Sequence, residues 1–143
     1  MIILDFSNNT IQKIYLNRVI SNNEDLAEAI ADSSITTITI ADDVVISSDV
    51  EGKTITVADG GTLTLSGDVT LSNSTIDLTS NGSNLVIDDA DLVVDSGSSI
   101  TINGNGSTNT NISINNNSSV VVKDDASLII NNSTITSDIT VLA

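Results

Sequence analysis

The sequence predicts an all-β solenoid, a parallel β-helix of about four to five short coils preceded by an N-terminal strand pair and a short capping α-helix. Three observations predict it. Apolar-x-apolar triplets recur from Ser34 to Val141, separated by short runs of Gly, Asn, Asp and Ser. Aromatic residues are only 1% of the 143-residue chain, with one Phe, one Tyr and no Trp, so a core must be built from Ile, Leu and Val. Pro is absent, which suits a backbone whose N–H groups are needed almost everywhere for ladder hydrogen bonds.

The elements follow in order. Ile2–Phe6 and residues 11–16 read as two short strands, with Ser7, Asn8, Asn9 and Thr10 supplying turn chemistry between them, so a hairpin is expected. Next, Leu26, Ala29 and Ile30 fall at i, i+3 and i+4, one face of a helix over 23–32. Asn22 or Asn23 can cap its N-terminus, and Glu24 and Asp25 suit the positive end of its dipole. So short a helix needs tertiary packing, and its place before the repeats suits it to cover the first open layer. Residues 1–33 therefore read as hairpin and cap, and 34–143 as the solenoid, within one structural domain.

From Ser34 the period becomes two. The pairs Ile38/Ile40, Val44/Ile46, Ile55/Val57, Leu63/Leu65, Val69/Leu71, Ile76/Leu78, Leu85/Ile87, Leu92/Val94, Ile100/Ile102, Ile112/Ile114, Val120/Val122, Leu128/Ile130 and Ile139/Val141 each point two side chains one way and a residue between them the other. Strands this short also fit a sandwich or barrel, but hairpins favour two-residue Asn-Gly or Asp-Gly loops between longer strands. Three short strands plus corners make a coil of roughly 22 to 27 residues, within the solenoid range.

The phrases Asp59–Leu65, Asp88–Val94 and Asp124–Ile130 share Asp, a small residue and then Leu-x-aliphatic. With these, the chain resembles the right-handed parallel β-helix, pectate-lyase-like class, in the Asn/Ser/Thr-rich form of microbial surface proteins and adhesins. The helix followed by Ile35–Ile46 is similar to the cap and first coil of that class. The resemblance implies an extracellular or cell-surface location.

Composition narrows function. The formal net charge is −15 and residues 54–122 hold no Lys or Arg, so the surface repels phosphate backbones and nucleic acid is not an expected partner. No apolar run reaches transmembrane length, so no membrane insertion is expected. The opening residues lack a basic start followed by an apolar stretch and do not read as a signal peptide. There is no Cys and no His, which removes disulfides and the commonest general base. The lyases of the resembled class pair calcium-binding acids with a basic Arg, and the one Arg here, Arg18, precedes the cap. Its hydrolases need a His that is missing. A polysaccharide-active enzyme is not expected, and no cofactor is required.

Four constellations have chemical potential. Asp88, Asp89, Asp124 and Asp125 are calcium candidates if neighbouring coils stack them in a column, since calcium takes six to eight oxygens; as plain corner residues they need no ion. Thr-x-Thr at 37/39, 54/56, 62/64, 108/110 and 134/136 would make an ice-binding face if stacked once per coil, but their uneven steps predict that they do not stack. Asn at the corners, Asn73, Asn81, Asn84, Asn115 to Asn117 and Asn131 among them, tolerates left-handed backbone and can form amide ladders. Finally, the ends Ile2, Ile3, Leu4 and Phe6 and Ile139, Val141 and Leu142 are apolar strand edges suited to self-association, although a piece of a longer β-helix would leave the same bare C-terminal edge. The expected function is a non-enzymatic structural protein that joins copies of itself head to tail, as a homo-oligomer or filament. The alternative is an adhesin-like binding module, calcium-dependent if the Asp columns form.

Overall fold

The computed structural model describes residues 16–103, 111–131, 133–135 and 140–141. Ahead of the repeats lie β1 (Leu16–Ile20) and the helix α1 (Asn23–Ala31). Five three-strand coils follow: β2 (Ile35–Ile40), β3 (Val44–Ile46) and β4 (Val50–Glu51); β5 (Thr54–Val57), β6 (Thr62–Leu65) and β7 (Val69–Ser72); β8 (Thr75–Leu78), β9 (Asn84–Asp88) and β10 (Asp91–Val94); β11 (Ser99–Asn103), β12 (Asn111–Asn115) and β13 (Ser119–Val122); β14 (Ser127–Asn131), β15 (Thr134–Ile135) and β16 (Thr140–Val141).

Every strand pair is parallel, and each coil contributes one strand to each of three sheets. The first sheet runs β1-β2-β5-β8-β11-β14, the second β3-β6-β9-β12-β15 and the third β4-β7-β10-β13-β16. This is a parallel β-helix. Parallel strands need a crossover, and here the crossover is the rest of the coil.

The period-two pairs are the reason the chain winds. Register stacks Ile38, Ile55, Ile76, Ile100 and Leu128 in one inward column, and Ile40 and Val57 in the next beside Leu78, Ile102 and Ile130. Apart from Leu128 and Ile130 in the last coil, these side chains are buried. Each such burial stabilises by about 1.5–3 kcal/mol over exposure.

The corners turn on left-handed residues. Gly52, Asn73, Gly97 and Asp125 occupy the corner that leads from the third sheet to the first, all at positive φ. Asp89 and Asn116 do the same where the second sheet leads to the third. Only Gly, Asn and Asp adopt this conformation at little cost, which explains why the corners are written in those letters.

Inside the third-to-first corner lies a buried serine ladder. The Lys53 N–H donates to Ser74 Oγ at 3.2 Å, and the Ser74 N–H to Ser98 Oγ at 3.1 Å. Ser74 Oγ and Ser98 Oγ in turn donate to the carbonyls of Ser72 and Leu71 at 2.8 and 2.9 Å. Both serines are 2% exposed, so each hydroxyl satisfies backbone groups that water cannot reach. On the outer surface, carboxylates satisfy backbone groups in the same way. Asp49, Asp59 and Asp68 accept from the N–H groups of Thr70, Asn81 and Asp91 one coil on.

Two N-terminal expectations can be set against described residues. Leu16, expected to close an N-terminal hairpin, opens β1, which runs on to Ile20 and pairs in parallel with β2. The rest of the expected hairpin lies outside the described residues. The helix occupies 23–31 with Asn22 as its cap, its side chain accepting the Asp25 N–H at 2.9 Å.

Candidate functional site at the two ends of the solenoid

At the N-terminal end three devices cover parts of the first coil's edge. Over the first sheet, β1 pairs with β2 and aligns Arg18 with Ile38, at the head of an otherwise apolar column. Its guanidinium donates to Asp25 and Glu28 of α1 at 2.8 and 3.0 Å. The hydrogen bond to Glu28 is the leading reason that the Arg18 pKa is raised. Over the second sheet, α1 buries Leu26 and Ala29, and Asn23 Oδ1 accepts the otherwise free Val45 N–H of β3 at 2.8 Å. At the return to β2, Lys53 reaches up from the next coil and donates through Nζ to the carbonyls of Asp32 and Ile35 at 2.6 and 2.5 Å. Lys53 is 5% exposed, and its ammonium lies by the negative end of the helix dipole. Asp32, hydrogen-bonded by the hydroxyl and backbone N–H of Ser34, has its carboxyl pKa lowered.

The closure is incomplete over the third sheet. Between α1 and β4 lies an open cleft of about 700 Å³, where Asp49, Glu51 and Lys53 face Ala27 and Ile30. A smaller hollow of about 180 Å³ separates α1 from β3.

At the other end β14, β15 and β16 each pair on one side only among the described residues. Leu128 and Ile130 are only partly buried, whereas Ile100 and Ile102, one coil earlier in the same columns, are 0% exposed. Of the residues expected to drive self-association, Val141 lies in β16. Ile2, Ile3, Leu4, Phe6, Ile139 and Leu142 lie outside the described residues.

The calcium candidates do not meet. Asp88 and Asp89 sit where the second sheet leads to the third, in register with Asn115 and beside Asn116, whose amide donates to Asp88. Asp124 and Asp125 sit at the third-to-first corner, where the Asp125 carbonyl accepts the Gly97 N–H at 3.2 Å. Coil-to-coil bonds near these residues join positions 28 apart, which the spacing between the two Asp pairs does not match, so the pairs fall in different corners. No group of three or more acidic residues suited to a metal occurs among the described residues.

As expected, the Thr-x-Thr motifs do not form one array: among the described residues only 37/39 and 54/56 stack on each other. On the outer face of the first sheet, Thr37, Thr54, Thr75, Ser99 and Ser127 stand in register, as do Thr39, Thr56, Asp77 and Thr101. Steps along the first sheet grow from 17 residues (Thr37 to Thr54) to 28 (Ser99 to Ser127), so residues unevenly spaced in the sequence stand in register in space. Thr62 and Thr64 lie on the second sheet instead. Asp77 interrupts the hydroxyl face, and its buried Oδ1 has no hydrogen-bond partner.

Comparison with protein-family models, curated proteins and solved structures finds no match to this chain. The geometry alone must carry a functional reading. Arg18, Lys53 and the ladder serines Ser74 and Ser98 were not singled out in the sequence for the roles they play here. Arg18 falls where period two demands an apolar residue, and a lone lysine beside a corner glycine reads as solvated.

Proposed function

We propose that this protein is a non-enzymatic structural subunit that associates end to end through the open coil β14–β16. The observation that carries the reading is the half-buried pair Leu128 and Ile130, whose counterparts one coil earlier are sealed. A strand layer left unpaired among the described residues, with its apolar columns open at Leu128 and Ile130, is a template for another chain. The coil-to-coil contact repeated inside the molecule supplies the pattern for a contact between molecules. An extracellular or cell-surface setting, in which such assemblies serve as fibres or adhesins, accompanies this proposal.

The experiment is light scattering across a concentration series, with electron microscopy of the concentrated sample. Association should disappear when Leu128→Lys and Ile130→Lys direct two charges into the open layer. A wild-type chain that stays monomeric at high concentration, with β14–β16 folded, would refute the reading.

The registered hydroxyl columns of the first sheet favour a second reading: a binding module presenting that flat face to a repeating partner surface. A parallel sheet spaces such groups about 4.8 Å apart between strands and about 6.6 Å along them. Under this reading, Thr56→Lys abolishes partition into growing ice or onto crystalline polysaccharide while light scattering is unchanged.

A further inference from the structure

We propose that β1 and α1 form a displaceable plug over an acceptor face for a second copy of this chain; the inference rests on the end-to-end reading above. Beneath the plug lies a complete coil. β2, β3 and β4 belong to the same three sheets, in the same order, as β14, β15 and β16 at the other end. The inward columns that end at Leu128 and Ile130 begin, below the plug, at Ile38 and Ile40. The two faces are therefore opposite sides of one kind of interface, the one that joins every coil to the next within the chain.

With the plug in place that interface cannot form. Arg18 stands in register above Ile38, and another coil would have to bury its guanidinium or break its bonds to Asp25 and Glu28. A charge placed on an inward column stops strand addition, as inward-pointing charges do at natural sheet edges. The exposed residues of α1 include the acids Glu24 and Glu28, which an incoming apolar layer would have to strip of water.

β1 is held by its full pairing with β2, so the loosely packed part of the plug is α1. A nine-residue helix is not stable by itself, so α1 persists only through its contacts. Those contacts bury Leu26 and Ala29, and they leave hollows of about 700 and 180 Å³ against β4 and β3. The β4 edge is unpaired on that side among the described residues. Displacing the plug would free the β2 and β3 edges and leave all three strands of the first coil open together. The result is a head-to-tail contact that does not close on itself and so propagates. Plugged chains retain only the β14–β16 face and cannot extend in both directions.

The test uses the full chain and its lack of cysteine. Ala27→Cys and Ser48→Cys both line the hollows beside α1. Joining them with a short bis-maleimide pins the plug, and the same variant capped with N-ethylmaleimide serves as control. A second variant, Lys53→Met, loosens the plug. Light scattering should show that pinning reduces association at least tenfold below the capped control and that Lys53→Met raises it above wild type. Equal association of pinned and capped chains overturns the plug while leaving end-to-end association standing. If the loosened chain, the capped control and wild type all remain monomeric, the plug and the end-to-end reading fall together. Association that stops at a dimer in the Lys53→Met chain also overturns it, because an open acceptor face must propagate.

Discussion

Replacing Lys53 with Met should loosen the N-terminal cap while leaving the central coils intact. Met keeps most of the aliphatic stem but removes the ammonium, which donates to the carbonyls of Asp32 and Ile35 at 2.6 and 2.5 Å. Hydrogen bonds to a charged group contribute about 1.5–3 kcal/mol each, so roughly 3–6 kcal/mol is lost in gross terms. Against this, the variant no longer holds an ammonium out of water at a site only 5% exposed, and that relief offsets about half of the loss. The net expectation is about 1.5–3 kcal/mol, confined to α1 and the segment leading into β2. Since each 1.4 kcal/mol is tenfold in an equilibrium, hydrogen exchange of the amides at 26–31 should accelerate by roughly 10- to 150-fold. Amides of β8 and β11, several coils away, should keep their protection. If protection falls equally in α1 and β11, the lysine is part of one global unit and not a local clasp. If α1 is unaffected, the two carbonyl bonds contribute nothing net.

Gly97→Ala should destabilise by about 1–2 kcal/mol, because left-handed backbone costs an alanine that much. Its φ is +74°, and the new Cβ would stand 2.7 Å from Asn73 Oδ1. Gly97→Asn, a residue type that already occupies this corner one coil earlier, should cost less of the backbone penalty. Denaturant unfolding measures both, and Gly97→Ala indistinguishable from wild type would refute the strained corner. Acid dependence follows from Asp95, whose pKa is lowered by the Ser96 N–H and then by Lys123. A depressed folded pKa stabilises above the unfolded value and loses that contribution as pH falls through the folded one. The gap in melting temperature between wild type and Asp95→Asn should therefore hold from neutral pH to about 5 and close below about 4. Comparing the pair cancels the general relief of charge repulsion on acidification, and a gap independent of pH would refute the assignment.

The strands were legible because their signal is local. From Ile38/Ile40 to Val120/Val122, each expected apolar pair is buried, since alternation survives any change in corner length. What joins distant residues was less legible. The acids at 88–89 and 124–125 share a local phrase yet occupy different corners, while Thr39 and Thr101 share a face that no fixed period announces. Register depends on residues added between strands, and the lengthening corners leave no mark in the strands themselves. The cap was legible as a helix from Leu26, Ala29 and Ile30. Its attachment was not, because Arg18 and Lys53 act through partners supplied by the fold.

The corners have one more consequence. Coil-to-coil bonds join residues 21 apart at Lys53–Ser74, 24 apart at Ser74–Ser98 and 28 apart at Asp91–Ser119, while the strands stay in parallel register throughout. Added residues fall between strands and leave the pairing of one coil with the next untouched. The molecule is a ruler graduated in turns: its height counts windings and is indifferent to how many residues each winding holds. Peptides grafted into a corner should therefore alter what the surface displays without changing how far apart its two ends are held.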